Sequence, residues 1–393
     1  MKLLVVGCGQ CGGRIADAFA RLSGRAHIER GLEIITGCYA VNTDIADMTG
    51  LRFIKKDQHH RIVIGVQRTS GHGVGKVNEL AAQIAREDSD KVMESMKMTH
   101  PTMEPDAFLL TASAGGGTGS GTIPVLTQLF KERFPEKPVY NLIVLPFKHE
   151  ELTEERIILN TATCLKSSYL VADAIFLVDN QRFVKKSLSF QHNLAQINGM
   201  VAEPFYNVLC AGEEKKPGYI GSRTLDAGDI MQTLAGWTVI GYGNVPQHTG
   251  WGWLPFTGGA DFRKKAAESQ KEIQVLNYAL EELSLKCNPR DANRALYLLC
   301  APPDKMNMNL IREMGTALKN IAPDAIIRSG DYPRSRSSLE VAIILSELAS
   351  VSKVTDYFNK VILYLGARKK KRGKEVEYQR LEDAFGDIPS LLE

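Results

Sequence analysis

The densest chemistry in this 393-residue chain is carried by backbone: Ser113-Ala114-Gly115-Gly116-Gly117-Thr118-Gly119-Ser120-Gly121. Five of the seven residues from Gly115 to Gly121 are glycines. They bury nothing and cost conformational entropy, so packing gives no reason for them. Their use is to let successive N–H groups converge on an anion, with the hydroxyls of Thr118 and Ser120 as further donors. Two more clusters repeat the idea. Gly7, Gly9 and Gly12 form a G-x-G-x-x-G that also holds Gln10 and Cys11, and Gly71, Gly73 and Gly75 precede Lys76. The last is not a Walker-type loop, because the glycine-to-lysine spacing differs and Val77 stands where a hydroxyl is required. Three glycine turns imply a polyphosphate held from several sides, a triphosphate site of another kind.

Gly7–Gly12 taken alone suggests an NAD-binding oxidoreductase. That reading needs an acidic residue about 20 positions further on, whereas Asp44 lies 32 residues beyond Gly12 and fits poorly. Cys8 and Cys11 make a C-x-x-C pair, but no second pair follows, and the surrounding glycines suit a phosphate turn better than a redox or zinc site. The seven cysteines are odd in number and mostly sit in apolar segments, which reads as buried, reduced thiols.

Each turn needs an element on either side to hold it. Apolar runs at Leu3–Val6, Ile34–Val41, Ile62–Val66, Phe108–Leu110, Leu142–Leu145 and Ala174–Val178 read as strands. Between them, Ile15, Ala18, Phe19 and Leu22, and later Ile123, Leu126, Thr127 and Phe130, repeat at helical spacing. Strands alternating with helices predict a doubly wound, mostly parallel α/β domain over residues 1–190, with ligands bound beyond the carboxyl ends of its strands. Gln191–Ala211 reads as a long helix in which Pro204 forces a kink or marks a new first turn. With the polar loop Gly212–Leu225 it forms a connecting region, 191–225. A second, smaller α/β domain is expected over 226–366, with a helical stripe at Leu276, Ala279, Leu280 and Leu283 and strands at Leu296–Cys300 and Val341–Leu345. Residues 367–393 read as a flexible tail, basic at Arg368–Arg372 and ending in Phe385, Ile388, Pro389, Leu391 and Leu392.

The bulk numbers set limits. An apolar fraction of 44% with 24% charge is ordinary for a soluble globular protein. A net charge of +3 gives no support to nucleic-acid binding. The chain opens directly in a strand, and no stretch reaches the roughly 18 apolar residues that cross a bilayer. A cytoplasmic protein without an integral membrane segment is expected.

Taken together, these residues resemble the tubulin/FtsZ superfamily of GTP-dependent filament proteins. Gly115–Gly121 matches its G-G-G-T-G-[ST]-G motif, Gly9-Gln10-Cys11-Gly12 has the tubulin form, and Ala40-Val41-Asn42-Thr43-Asp44 and Gly71–Gly75 look like the corresponding FtsZ loops. With Asn160-Thr161-Ala162-Thr163-Cys164-Leu165, the mixture is most similar to the archaeal CetZ group, and the similarity runs to about Leu365. The resemblance implies GTP/GDP with Mg²⁺, bound by Gly9, Gln10, Cys11, Gly12, Arg14, Asn42, Asp44, Gly71, Gly73, Gly75, Gly115, Gly116, Gly117, Thr118, Gly119 and Ser120, with Gln10 near the metal. It implies that Asn180 and Asn198 read guanine. Glu150 is taken for ribose, beside the further candidates Glu154, Glu155 and Arg156. Asp226 and Asp229 would complete the next subunit's site and orient the attacking water, while Thr224 stands where the FtsZ branch usually has Asn. Two acids three apart at a helix start are also ordinary capping chemistry. The implied function is a cytoskeletal GTPase that polymerises head-to-tail, serving cell shape or division, with an adaptor protein as a partner for the tail. A GTP-binding scaffold without hydrolysis is the other alternative beside the NAD enzyme.

Overall fold

The computed structural model describes residues 1–99, 104–184, 190–246, 274–306, 308–335, 338–371 and 388–392, with the side chains of 190–195, 308 and 366–371 outside that description. The chain begins with the alternation its apolar runs require: β1 (Leu3–Cys8), α1 (Gly9–Arg30), β2 (Ile35–Asn42), α2 (Ile45–Thr49), β3 (Arg61–Val63), α3 (Val66–Thr69), α4 (Asn78–Glu87) and α5 (Ser89–Thr99). There follow β4 (Ala107–Ser113), α6 (Thr118–Arg133), β5 (Val139–Leu145), α7 (Lys148–Thr153), α8 (Glu155–Val171) and β6 (Ala174–Asp179). A long helix α9 (Phe190–Ala211) and a short one, α10 (Ala227–Thr233), lead to β7 (Gly236–Pro246). After α11 (274–281) come β8 (Ala292–Ala301), α12 (Met308–Ile321), β9 (Ile326–Pro333), β10 (Ser338–Leu348) and α13 (Ser352–Lys371).

The strands form one ten-stranded sheet in the order β3-β2-β1-β4-β5-β6-β7-β10-β8-β9. From β3 to β7 every pairing is parallel, and β10 runs antiparallel to both β7 and β8. Parallel strands are covered on both faces, so they read as unbroken apolar runs. All six residues of β1 are buried, with Leu4 and Val6 facing one hydrophobic layer and Leu3 and Val5 the other. In strand order β1 lies between β2 and β4, so the turns after these strands meet at one edge.

Three sequence expectations change. The strand anticipated at Ile62–Val66 stops at Val63, because Gly65 turns left-handed (φ 68) and opens α3. Helix α9 continues through Pro204, so that residue starts no new helix; it forgoes one intrahelical bond inside an element held by its neighbours. The tail is not uniformly loose at its ends. Arg368–Lys371 continue α13, and Ile388 and Leu391 are buried, since paired aliphatic side chains find an apolar surface on the body. Arg372 and Phe385 lie outside the described residues.

Helix α9 packs along α1 through Phe19 and Phe205, 5.4 Å apart edge-to-face, and through a two-pronged Arg25–Glu203 ion pair at 2.7 and 3.0 Å. At the far end, buried Arg30 donates to Asn207 Oδ1 (2.8 Å) and to the Tyr332 hydroxyl (3.0 Å), while Asn207 donates to Glu340 (2.8 Å) on β10. The Tyr332 hydroxyl in turn donates to Glu214 (2.8 Å), which also pairs with Arg334. Burial pushes the Glu214 carboxyl up, but hydrogen bonds from Tyr332 and the Lys216 and Lys215 amides, with the Arg334 charge, leave it below the usual range.

Removing the hydroxyl by Tyr332→Phe breaks this junction and should cost about 1–3 kcal/mol in urea unfolding. Because the folded-state pKa of Glu214 is lowered, its contribution is full above the unfolded value of about 4.3 and is lost as pH falls through the folded value. The stability gap between wild type and Glu214→Gln should therefore be flat near neutrality and close in acid.

Candidate functional site

Glycine permits a backbone approach that any side chain would forbid, and here it brings three turns together. Gly9, in the left-handed region at φ 70, sits so that a Cβ would lie 2.7 Å from the Gly119 nitrogen. A Cβ on Gly117 would lie 2.7 Å from the Lys76 Cα. The first turn thus touches the second, and the second touches the third. Asn160, buried on α8, pins the latter contact: its amide donates to the carbonyls of Lys76 (2.9 Å), Gly116 (3.1 Å) and Gly115 (3.3 Å). Hydroxyls of Thr43 and Thr118 meet at 2.7 Å and tie the turn after β2 to α6.

These contacts wall a cavity of about 420 Å³, a size that suits a nucleotide. Helices α1 and α6 both start at it, at Gly9 and Thr118, and neither carries an acid in its first turn. Their unpaired N–H groups and positive dipole ends make an anion site from backbone alone. Of the residues singled out in the sequence, Gly9, Gln10, Cys11, Arg14, Asn42, Gly115, Gly116, Gly117, Thr118, Gly119, Glu150, Asn180 and Asn198 line the cavity. Asn180 follows β6 and is buried; Asn198 reaches in from α9.

The remaining ones do not line it. Gly12 packs against the Thr111 carbonyl, and Ser120 turns its hydroxyl back onto Gly116. Asp44 caps α2, accepting from the Ala46 amide at 2.8 Å. Gly71, Gly73 and Gly75 all have positive φ and shape the turn that delivers Lys76, which itself lines the cavity. Sequence reading also passed over Asp47 and Phe147. Asp47 bridges Gln10 (2.5 Å) and Asn42 (3.2 Å) on the cavity wall. Glu150 accepts from the Phe147 amide at 2.8 Å, and Glu154 and Arg156 pair with Lys76 and Glu79.

Among the described residues no group of His, Cys, Asp and Glu could hold a metal unaided. Burial pushes the Cys11 thiol up to about 12, and Cys8 is raised further by the same cause, so this pair lacks the low pKa of reactive thiols. All seven cysteines are free.

Asp226 and Asp229 stand apart from this cavity. Asp226 is exposed and caps α10, accepting from the Asp229 amide at 2.8 Å, while Asp229 pairs with Arg328 at 3.3 Å. Their loop is held firmly. Buried Asp331 accepts from the Ser222 amide (2.9 Å) and the Arg223 amide (2.5 Å), and its own amide donates to the Arg223 carbonyl at 3.0 Å.

The tubulin/FtsZ GTPase-domain model matches residues 2–187, and the C-terminal domain model of tubulin-like CetZ matches residues 188–362. Tubulin-like protein CetZ1 of Haloferax volcanii is 34% identical over 368 residues, covering 91% of this chain and 90% of that protein. The GDP-bound monomer of CetZ1 superposes with a TM-score of 0.78 at 29% identity, over 93% of this chain and 100% of that one. CetZ2 of the same organism, solved as a GTPγS-bound protofilament, gives 0.75 at 26% identity, over 92% and 98%. The chain belongs to the tubulin/FtsZ family and carries its GTPase domain followed by a CetZ-type C-terminal domain. The NAD-oxidoreductase reading of Gly7–Gly12 gives way to this assignment.

A valine at Gly117 would collide with Lys76 backbone and the Val74 side chain, so Gly117→Val should lose the thermal stabilisation that GTP gives the wild type. Gly24→Ala, in open space on α1, should bind GTP normally and be about 0.5–1 kcal/mol more stable.

Proposed function

We propose that this protein is a cytoskeletal GTPase that polymerises head-to-tail, its nucleotide site completed by the acidic loop of the adjoining subunit. The observation that carries this reading is the separation of its two chemical halves. The glycine turns wall a cavity that contains no acid from α10, while Asp226 is exposed on a loop that buried Asp331 holds rigid. A contact between unlike faces does not close on itself and generates filaments. The GTPγS protofilament of the similar CetZ2 supports the same reading.

In the proposed complex, N–H groups of Gly115–Gly119 and the start of α1 would hold the phosphates, and Asn180 and Asn198 would present amide edges to guanine. Mg²⁺ takes oxygen ligands and usually relies on one or two protein groups plus the phosphates. Gln10, Asp47 and the Thr118 hydroxyl fit that pattern, and the ion would neutralise charge developing on the phosphates. Asp226 and Asp229 of the next subunit would orient the water. The protein would work in the cytoplasm in cell shape or division, with the C-terminal tail as the attachment point for an adaptor; among the described residues no helix is long and apolar enough to cross a membrane.

In the rival reading, a scaffold that binds GTP without hydrolysing it, Asp226 serves only as a cap and Asp229 only as an ion-pair partner. Asp226→Asn separates the two roles, because Asn caps a helix about as well as Asp. It should leave melting and GTP binding unchanged, lower hydrolysis by about 10²-fold or more, and give long-lived filaments. Normal hydrolysis would leave Asp226 a cap only. Wild-type turnover should rise more steeply than linearly with protein concentration and accompany a pelletable GTP-dependent polymer; strict proportionality without polymer would sink the assembly reading.

A further inference from the structure

The last described residues do not trail into solvent. Ile388 and Leu391 are 1% and 3% exposed and belong to the hydrophobic layer that also contains Ala81 and Ala85 of α4 and Ala162 and Leu165 of α8. The backbone between them is gripped as well. Arg86, at the end of α4, donates to the Leu391 carbonyl at 2.7 Å, and Lys166 on α8 donates to the Ile388 carbonyl at 2.5 Å. The Leu391 amide donates to the Ser167 hydroxyl at 3.0 Å.

We propose that the groove between α4 and α8 is a peptide-binding site, selective for two large aliphatic residues three apart in a non-helical segment, and that residues 388–392 are its resident ligand in cis. Contacts to carbonyls and an amide ask for backbone in the right place and leave Pro389 and Ser390 little restricted. The two apolar seats supply the selectivity. Lys166 is buried, with 8% exposure, and a buried ammonium is costly without hydrogen-bond acceptors. The Ile388 carbonyl is one such acceptor, so it offsets the desolvation that docking of the tail imposes on this ammonium.

Sixteen residues, 372–387, join this segment to α13. A tether of that length sets a local concentration on the order of millimolar, which a free peptide must outcompete. Docking also hides Ile388 and Leu391 from any partner that would grip the tail, so capture by such a partner requires release first. The groove is a site separate from the nucleotide cavity, although both helices that form it start beside that cavity: Lys76 precedes α4, and Ile157 and Asn160 lie in the first turns of α8.

The test uses the full-length chain and a fluorescent peptide of residues 383–393. The double variant Ile388→Asp/Leu391→Asp, whose own tail cannot seat, should bind the peptide about tenfold or more tightly than wild type does. Adding Lys166→Ala and Ser167→Ala to it should weaken binding by a similar factor. Equal binding to wild type and double variant, or binding to neither, overturns the proposal. Hydrogen exchange on the wild type decides independently should the double variant fail to fold. Leu391 should be protected to the same degree at every protein concentration. Exchange at the free-peptide rate overturns the site, and protection that appears only on concentration assigns the groove to a second copy's tail and overturns the cis ligand.

Discussion

The structure depends on three turns approaching one another at backbone distance. Gly9 lies against Gly119 and Gly117 lies against Lys76 with no room for a Cβ, so the positions of β1, β4 and α4 are fixed relative to one another by van der Waals contact. That contact needs the turns to leave neighbouring parallel strands in the same direction, which the order β2-β1-β4 provides. Asn160 then converts proximity into a fixed geometry by spending one amide on three carbonyls. The result is a set of N–H groups aimed at one volume, available to a phosphate without reorganisation.

A second constraint runs along α9. On this helix Asn198, Ala202, Phe205 and Leu209 are spaced four, three and four residues apart, so one face carries both a cavity-lining amide and the core contacts. Its far end, through Asn207, reaches Glu340 on β10, and Arg30 of α1 closes the same junction through Tyr332 on β9. One rise of about 1.5 Å per residue therefore measures the distance from the glycine-walled cavity to the strands of the second domain. Strand β9 also supplies Asp331, two residues from the Ser329 that Arg223 contacts, so the loop before α10 is registered to the same sheet.

What could be read from the sequence follows from how many reasons a residue has to be where it is. Five glycines within Gly115–Gly121 have almost none but close approach, and the cavity forms there. Asn160, Asp47 and Asp331 are single polar residues whose partners lie far along the chain in most cases, and a lone Asn or Asp is as much at home in a turn or on a surface. The same ambiguity separated the true cavity residues from Asp44, which looks equally functional in sequence and is occupied in capping α2. Pro204 left open whether α9 restarts there, because propensity is local, whereas the continuous helix is held by Phe19, Phe176 and Arg25. The packed end of the tail was invisible because two aliphatic residues after a charged stretch carry no periodicity to read.

Capping and catalysis are compatible demands on Asp226. The cap engages Oδ1 of an exposed residue, and a carboxylate has a second oxygen able to accept further hydrogen bonds. Capping also fixes the side-chain torsion, so a partner subunit would meet an oriented acid and lose little entropy in ordering it. Asp229 differs, since its pairing with Arg328 places a cation beside it that must be retained or released as a neighbouring subunit docks. If both acids act together on a neighbour's phosphates, Arg328 sits at that same interface. There it would offset the repulsion between two carboxylates and an approaching polyanion, a cost that would otherwise oppose assembly when the nucleotide is most highly charged.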